Sequence, residues 1–469
     1  MKRTLLWIIT IAMFLPFVLT LTGCTSAPSD DSDPGGDPSP DQPPSTPELN
    51  DTSDTVSTDD TYAQSQAVIT DYLNVFGRTP VIDGALTMFW TNSGFSFAFH
   101  GTGVRAKLNT STTNQTYYGY LNVYIDGATT PSTTICVDKS GTYILAEELP
   151  VGDHTIEVRK RNEAIYGDSA TISLKELTVT DGKFRKKAPD TPKYTIEFIG
   201  DSITSGFGNM VIDGGGEGAN FSTHTQDGTM TYATIAARAT NASATVLSRS
   251  GICYLTGSDR DSMYPYYIQT AALPGKSADT GYWSFEENTV DVVVINLGTN
   301  DTGARINGQA VSYEQYKEHA VAFLQLVRAN NPKATIIWAY GMITESRGDA
   351  IAAAVNELAN AGDYDVYYCA LPTMDRATEG VGVHGHPDAL SHLISAVTLA
   401  DFLEENAYLD LDHTTTLRDA VLIAQQYLPA DHETLTAAAA LLQDGCDSER
   451  AHSAVLAIID ACKAAFSAQ

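Results

Sequence analysis

The sequence predicts two folded parts of different class, an antiparallel β-sandwich followed by an α/β domain. Three observations carry that prediction. Between residues 63 and 187, short stretches alternate apolar and polar residues, punctuated by glycine turns and without a helical period. From Tyr194, apolar runs of strand length alternate with stretches of helical period, which marks a parallel sheet covered on both faces. From Asp401 the pattern becomes helical and rich in alanine.

In the sandwich, "FSFAFHGTGVRAKL" (Phe95 to Leu108) reads as an alternating strand, a Gly-Thr-Gly turn and a second strand. "YYGYLNVYIDG" (Tyr117 to Gly127) repeats the pattern and ends in Asp126-Gly127, a hairpin-turn dipeptide. "GDHTIEVRKRNEA" and "ATISLKELTVTDG" continue it. The basic "RKKAPD" (Arg185 to Asp190) marks a boundary and reads as a linker patch.

Ahead of the sandwich, Lys2 and Arg3 precede an apolar run, Leu5 to Leu21, that closes with "LTGC". Residues 1–24 resemble a bacterial lipoprotein signal, which implies lipidation of Cys24; an uncleaved transmembrane anchor is the alternative. Both place the remainder outside the cytoplasm, as a cell-surface protein whose contact with membrane is the N-terminal anchor. Residues 25–62, rich in Pro, Ser and Asp, cannot bury enough apolar surface to offset ordering and read as an acidic tether. The whole chain of 469 residues carries a net charge of -29. That excludes nucleic acid and anionic lipid as partners, because both are bound by clustered Lys and Arg. It suits a neutral or cationic substrate.

The α/β domain, residues 190–406, offers strands "TIEFIG", "ATVLSRSG", "DVVVINLGTND", "ATIIWAYGM" and "YDVYYCAL". Sheets of this kind gather ligands at the carboxyl ends of their strands. Ser202, Gly251 and Asn300 all follow such ends. A serine hydroxyl is a weak nucleophile until a base and a set of oxyanion donors surround it. The N–H groups of Ser202 and Gly251 and the amide of Asn300 are the candidate donors. His386, directly before Pro387 at a helix start, is the candidate base. The glycines around Ser202 suggest cleared space for an acyl group.

The order "GDSIT", "SG", "LGTND" and a late "HP" resembles the SGNH, or GDSL, hydrolases over Tyr194 to Glu404. With "HGTGVRAKL", "YLNVYIDG" and "GDHTIEVRKRNEA" upstream, the chain is similar to carbohydrate esterase family 2. The resemblance implies a jelly-roll sandwich before a flavodoxin-like, three-layer αβα SGNH domain. It implies an O-acetyl esterase acting on acetylated xylan or glucomannan without metal or organic cofactor. Ser202 is then the nucleophile, His386 the base, and Ser202, Gly251 and Asn300 the oxyanion hole. SGNH enzymes usually carry an acid two or three residues before the histidine, where this chain has His384 and Val383. The family's dyad form implies that the His384 backbone carbonyl orients the imidazole. Gly385 stands where relatives often have tryptophan, which bears on substrate preference.

Other residues read as structural. His384 and His392 give no third or fourth ligand for zinc. Asp201 and Asp301 are expected to tether the nucleophile turn and the Asn300 loop. The tyrosines of "MYPYYIQ" (Met263 to Gln269) suit either core or a sugar cleft. Residues 407–469 form a helical appendage faintly like one dockerin repeat, whose Asp410, Asp412, Thr414 and Asp419 fall short of a calcium loop. Cys446 and Cys462 are candidates for pairing, while Cys136, Cys253 and Cys369 read as core fillers. Two rivals remain open: a cell-surface carbohydrate-binding protein on a degenerate hydrolase platform, and an SGNH esterase for envelope glycans or lipid-like esters.

Overall fold

The computed structural model describes residues 62–63, 72–164, 171–186, 192–212, 220–271 and 281–468. The signal segment, Cys24 and the tether before Tyr62 lie outside the described residues.

Two antiparallel sheets form the first domain. One has the spatial order Tyr62–Ala63, Lys183–Arg185, Gly94–Gly101, Gly152–Lys160, Gly119–Ile125 and Thr133–Val137, with Asn74–Phe76 also paired to Gly94–Gly101. The other runs Val81–Ile82, Ala85–Met88, Ile172–Thr180, Gly103–Thr110 and Gly141–Ala146. The Gly-Thr-Gly turn is a corner that carries the chain from one sheet to the other. A Cβ on Gly101 would meet Thr180 O at 2.6 Å, so only glycine allows this crossing. Asp126 and Gly127 both have positive φ, 53° and 72°, the geometry of a type I′ turn. Phe95, Phe97 and Phe99 alternate toward one side and are fully buried between the sheets. Burial of each ring contributes roughly 1.5–3 kcal/mol.

The second domain is a five-stranded parallel sheet: β1 (Tyr194–Gly200), β2 (Ala242–Ser248), β3 (Val292–Asn296), β4 (Thr335–Tyr340) and β5 (Val366–Ala370). Its spatial order β2-β1-β3-β4-β5 is that of a doubly wound, flavodoxin-like sheet. Successive residues face opposite layers. Phe198, Val292 and Val294 join one core with α1 (Tyr232–Ala239) and α4 (Ala389–Ala407). Ile199, Val293 and Ile295 join the other with α2 (Tyr313–Asn330) and α3 (Gly348–Asn360).

Three more helices follow: α5 (His413–Ala424), α6 (Glu433–Asp444) and α7 (Ser448–Ser467). The carboxylates of the dockerin-like stretch serve as caps and ion pairs. Asp412 accepts from Thr414 N at 2.9 Å, Asp419 pairs with Arg238 at 2.9 Å, and Asp410 pairs with Lys193. Cys446 and Cys462 are both free thiols, contrary to the pairing suggested by sequence. Cys446 precedes α7 and Cys462 lies well along it. A rise of about 1.5 Å per residue places them ~20 Å apart along the axis, beyond disulfide reach.

The two domains share a buried polar seam. Arg78 of the sandwich is fully buried, donates to Glu197 Oε1 at 2.8 Å and to Gln269 O at 2.8 Å, and is stacked near Tyr267. Arg161 pairs with Asp227 at 3.0 Å, and its carbonyl accepts from Gly228 N at 2.6 Å. No described helix is long and apolar enough to cross a membrane.

Candidate active site

β1 ends at Gly200, and the chain turns at once into a single helical turn, Ser202–Ser205. Asp201 caps this turn, its Oδ1 accepting from Ile203 N at 2.9 Å, and Gly206 closes it with φ 75°. Ser202 is therefore the first residue of a capped turn, and its own N–H is one of the donors that such a turn leaves without a helical acceptor. The glycines serve protein packing more than substrate space. A Cβ on Gly208 would lie 2.5 Å from Val383 Cβ, so Gly208 lets the histidine segment close onto the serine segment.

His386 meets Ser202 as the sequence suggested. Its Nε2 is 2.8 Å from Ser202 Oγ. Its Nδ1 lies 3.1 Å from the Val383 carbonyl oxygen. A carbonyl can only accept, so Nδ1 carries the proton and Nε2 presents its lone pair to the serine hydroxyl. This corrects the sequence expectation, which gave the role to the His384 carbonyl; that group makes the smaller favourable contribution to the same imidazole. His384 and Gly385 both adopt left-handed backbone, φ 53° and 76°. The tightened turn brings the carbonyl three residues back, not two, beneath the ring.

The imidazole is sheltered. Phe207 lies over it at 4.5 Å between ring centroids and itself stacks on Phe221 at 3.9 Å. Burial, with the neighbouring His384 and Arg376, pushes the His386 pKa down to about 4, although the Val383 carbonyl opposes the shift. Arg376 donates to Gly385 O at 3.1 Å and covers the place of a side chain at 385.

The oxyanion candidates converge through Asn300. Its Nδ2 donates to Asp201 Oδ2 at 3.1 Å and to Ile252 O at 3.0 Å, drawing the ends of β1, β2 and β3 together. Both amide hydrogens are thus engaged, an arrangement that the sequence did not suggest. Gly251 is exposed, with φ 79°, and its N–H donates to no other described group. Asp301 accepts from Tyr254 N and Leu255 N at 3.2 and 3.0 Å, shaping the loop after β2. Burial pushes both Asp201 and Asp301 up to about 7.

The remaining sequence candidates are structural. His392 is buried, accepts from Tyr232 N at 3.2 Å and is held near a pKa of about 3 by burial. Tyr267 is buried at the domain seam, Tyr264 packs edge-on against Phe323, and Tyr266 receives Arg249. Of these, Tyr267 takes the core alternative, while Tyr264 and Tyr266 remain half-buried. Among the described residues, Asp401, His413 and His452 bring metal-capable atoms within 4.8 Å of one another, between α4 and the C-terminal helices. His384 and His386 do not form such a group. Sequence reasoning passed over Glu163, which accepts from Ser250 N at 2.6 Å and from Gln226 Nε2 at 3.4 Å. Its only local signal was a charged run, "RKRNE", at a strand end.

A serine turn after the first parallel strand, a histidine from before the last sheet-packing helix, and an asparagine tying three strand ends thus meet at one edge of the sheet. Residues 198–393 match the GDSL-like Lipase/Acylhydrolase family, and residues 75–189 match the Carbohydrate esterase 2 N-terminal domain. The two matches fall in the order of the two domains, so the chain is similar to the GDSL-like hydrolases in its second domain and to carbohydrate esterase family 2 in its first. It is 29% identical over 321 residues to Cellulase/esterase CelE of Acetivibrio thermocellus, covering 66% of this chain and 36% of that protein. The chain thus spans about a third of that relative's length. It is 25% identical over 279 residues to an Acetylxylan esterase / glucomannan deacetylase of Cellvibrio japonicus, covering 55% of this chain and 71% of the relative. A solved family two carbohydrate esterase from Clostridium thermocellum, in complex with cellohexaose, is 25% identical with a TM-score of 0.62, covering 71% of this chain and 98% of that one.

Proposed function

We propose that this chain is a carbohydrate O-acetyl esterase that removes acetyl groups from hemicellulose-type polysaccharides such as xylan and glucomannan. One observation carries the reading: the Ser202 Oγ–His386 Nε2 contact at 2.8 Å, with Nδ1 tied to a carbonyl that fixes the tautomer. Ser202 Oγ attacks the acetyl carbonyl carbon while its proton passes to His386 Nε2. The N–H groups of Ser202 and Gly251 receive the oxyanion, and Asn300 joins them by turning one hydrogen from Asp201. Collapse breaks the bond to the sugar oxygen, which takes the proton from His386 and leaves an acetyl-Ser202. Water, deprotonated by His386, then releases acetate. A carboxylate is absent from the third position, so the imidazolium is stabilised by backbone alone.

Acetate release from acetylated xylan and acetylated glucomannan, measured for wild type and Ser202→Ala, tests the reading. Turnover by wild type that Ser202→Ala abolishes supports it; equal turnover by both defeats it. The same reading places the enzyme at the cell surface through a lipid on Cys24. Incorporation of labelled palmitate into wild type and not into Cys24→Ala is the expected result.

A further inference from the structure

We infer that Glu163, carried by the sandwich domain, is a positioning residue for the ester hydrolysis performed by the other domain, because it clamps Ser250 and so aims the Gly251 N–H at the acyl oxygen. The inference rests on the esterase reading above and assigns the sandwich a part in the chemistry.

The geometry is a two-point grip. Glu163 Oε2 accepts from Ser250 N at 2.6 Å, and Oε1 accepts from the Ser250 hydroxyl. Arg249 O accepts from Ile252 N at 3.3 Å, which makes Arg249 to Ile252 a β-turn with Ser250 and Gly251 at its centre. With φ 79° at Gly251 the turn is of type II, and the peptide joining Ser250 to Gly251 is its central one. Rotation of that peptide converts type II into type I and reverses the direction of the Gly251 N–H. A carboxylate holding both the N–H and the hydroxyl of Ser250 fixes the Cα from which that peptide hangs, and with it the point from which the Gly251 N–H is presented. The oxyanion donor is thereby fixed before substrate arrives, which is where such donors gain their effect.

The grip extends to the nucleophile. Gln226 Nε2 lies 3.4 Å from Glu163 Oε1 and donates to Ser205 O at 3.0 Å, in the turn that starts with Ser202. One carboxylate therefore reaches both walls of the acyl site. Glu163 is itself immobilised. Asn162 donates to Glu163 O at 3.2 Å and accepts from Tyr120 N at 2.9 Å, while the Lys160 ammonium donates to Asn162 O. Lys160, Arg161, Asn162 and Glu163 are all buried at the seam. Apolar side chains would join two domains at less desolvation cost than this cluster does. The cost is intelligible where a fixed acceptor is required at one point.

Steady-state acetate release and phosphonylation of Ser202 by a fluorophosphonate, for wild type, Glu163→Gln, Glu163→Ala and Ser202→Ala, test the inference. In the probe reaction Ser202 Oγ bonds to phosphorus, fluoride leaves and the proton passes to His386, and the phosphoryl oxygen occupies the same donors. Glu163→Ala should lower kcat by about 10²-fold, the scale of losing one oxyanion donor, with KM changed little. Glu163→Gln keeps one acceptor for Ser250 N but sets its own amide against Gln226, so a drop of about tenfold is expected. Phosphonylation should slow in step with kcat, while calorimetry shows Glu163→Gln melting close to wild type. Wild-type kcat in the glutamate variants, or a loss that merely follows the folded fraction, overturns the inference and leaves the esterase reading intact. A wild-type enzyme that neither turns over nor labels at Ser202 overturns both.

Discussion

The sheltered, carboxylate-free histidine makes a quantitative prediction about pH. The groups acting on His386 are burial, His384 and Arg376, which disfavour its charge, and the Val383 and His384 carbonyls, which favour it. Their balance puts the pKa at about 4 in place of 6.5, corresponding to ~3 kcal/mol against the imidazolium. Only the neutral base can take the Ser202 proton, so kcat/KM, which reports the free enzyme, should hold from neutrality down to pH near 5 and halve at about 4. Folding stability is the less direct readout. Between its two pKa values His386 is protonated only when unfolded, so its term is lost as pH falls from 6.5 to about 4. Asp201 and Asp301, pushed up to about 7, act oppositely, because the folded form holds their protons and gains stability as pH falls through that window. Phe207→Ala uncovers the ring that Phe207 now shields at 4.5 Å. Rehydration should move the acid limb up by about one pH unit, toward the value of free histidine. The assay is kcat/KM for nitrophenyl acetate from pH 3.5 to 8, fitted for both proteins. A wild-type limb at 6.5 or above, unmoved by Phe207→Ala, would refute this account of the site.

Three further outcomes follow from the geometry. His386→Ala should cost about 10⁴-fold or more in kcat, and adding Ser202→Ala should cost little beyond that, since the two act as one unit; multiplied losses in single-turnover rates would count against the dyad. Asn300→Ala removes a donor and the tie between Asp201 and Ile252, so kcat should fall about 10²–10³-fold. An effect confined to KM would remove Asn300 from the oxyanion hole. Arg78→Ala strands a fully buried Glu197 across the domain seam and should destabilise by about 3–5 kcal/mol in urea unfolding; a loss under 1 kcal/mol would mean that the seam contributes little to the fold.

The parts of this site that the sequence disclosed share one property: each is fixed by position on its own strand or helix. Ser202 follows β1, Asn300 follows β3, and His386 precedes α4, so strand-and-helix rhythm alone brings them to one edge. What escaped was set by backbone conformation or by a second domain. "VHGHP" gives no sign that His384, and not Gly385 alone, takes a left-handed conformation, yet that residue decides which carbonyl faces His386. Left-handed backbone at a non-glycine residue costs local energy and persists where surrounding contacts over-determine it. Here the Val383 N–H donates to Gly208 O at 3.2 Å, and Gly382 N donates to His386 O at 2.8 Å. The burial of Tyr267 turned on Arg78, which lies far away in sequence and plugs the seam beside it.

Glu163 escaped for a related reason, and it explains the domain pairing. A charged run at a strand end ordinarily signals a solvated rim, and nothing local separates that case from a run buried by another domain. Yet the loop bearing Gly251 has its central serine held by a residue outside the hydrolase domain. A parallel sheet positions strand ends well, but a two-residue turn beyond the strand can flip without moving the strand. Fixing its first residue calls for an acceptor placed from outside the turn, and the sandwich supplies one three residues beyond the end of a rigid antiparallel strand, Gly152–Lys160, that is paired on both sides. On this reasoning the sandwich is part of the catalytic frame, and loosening its seam should cost turnover before it costs substrate binding.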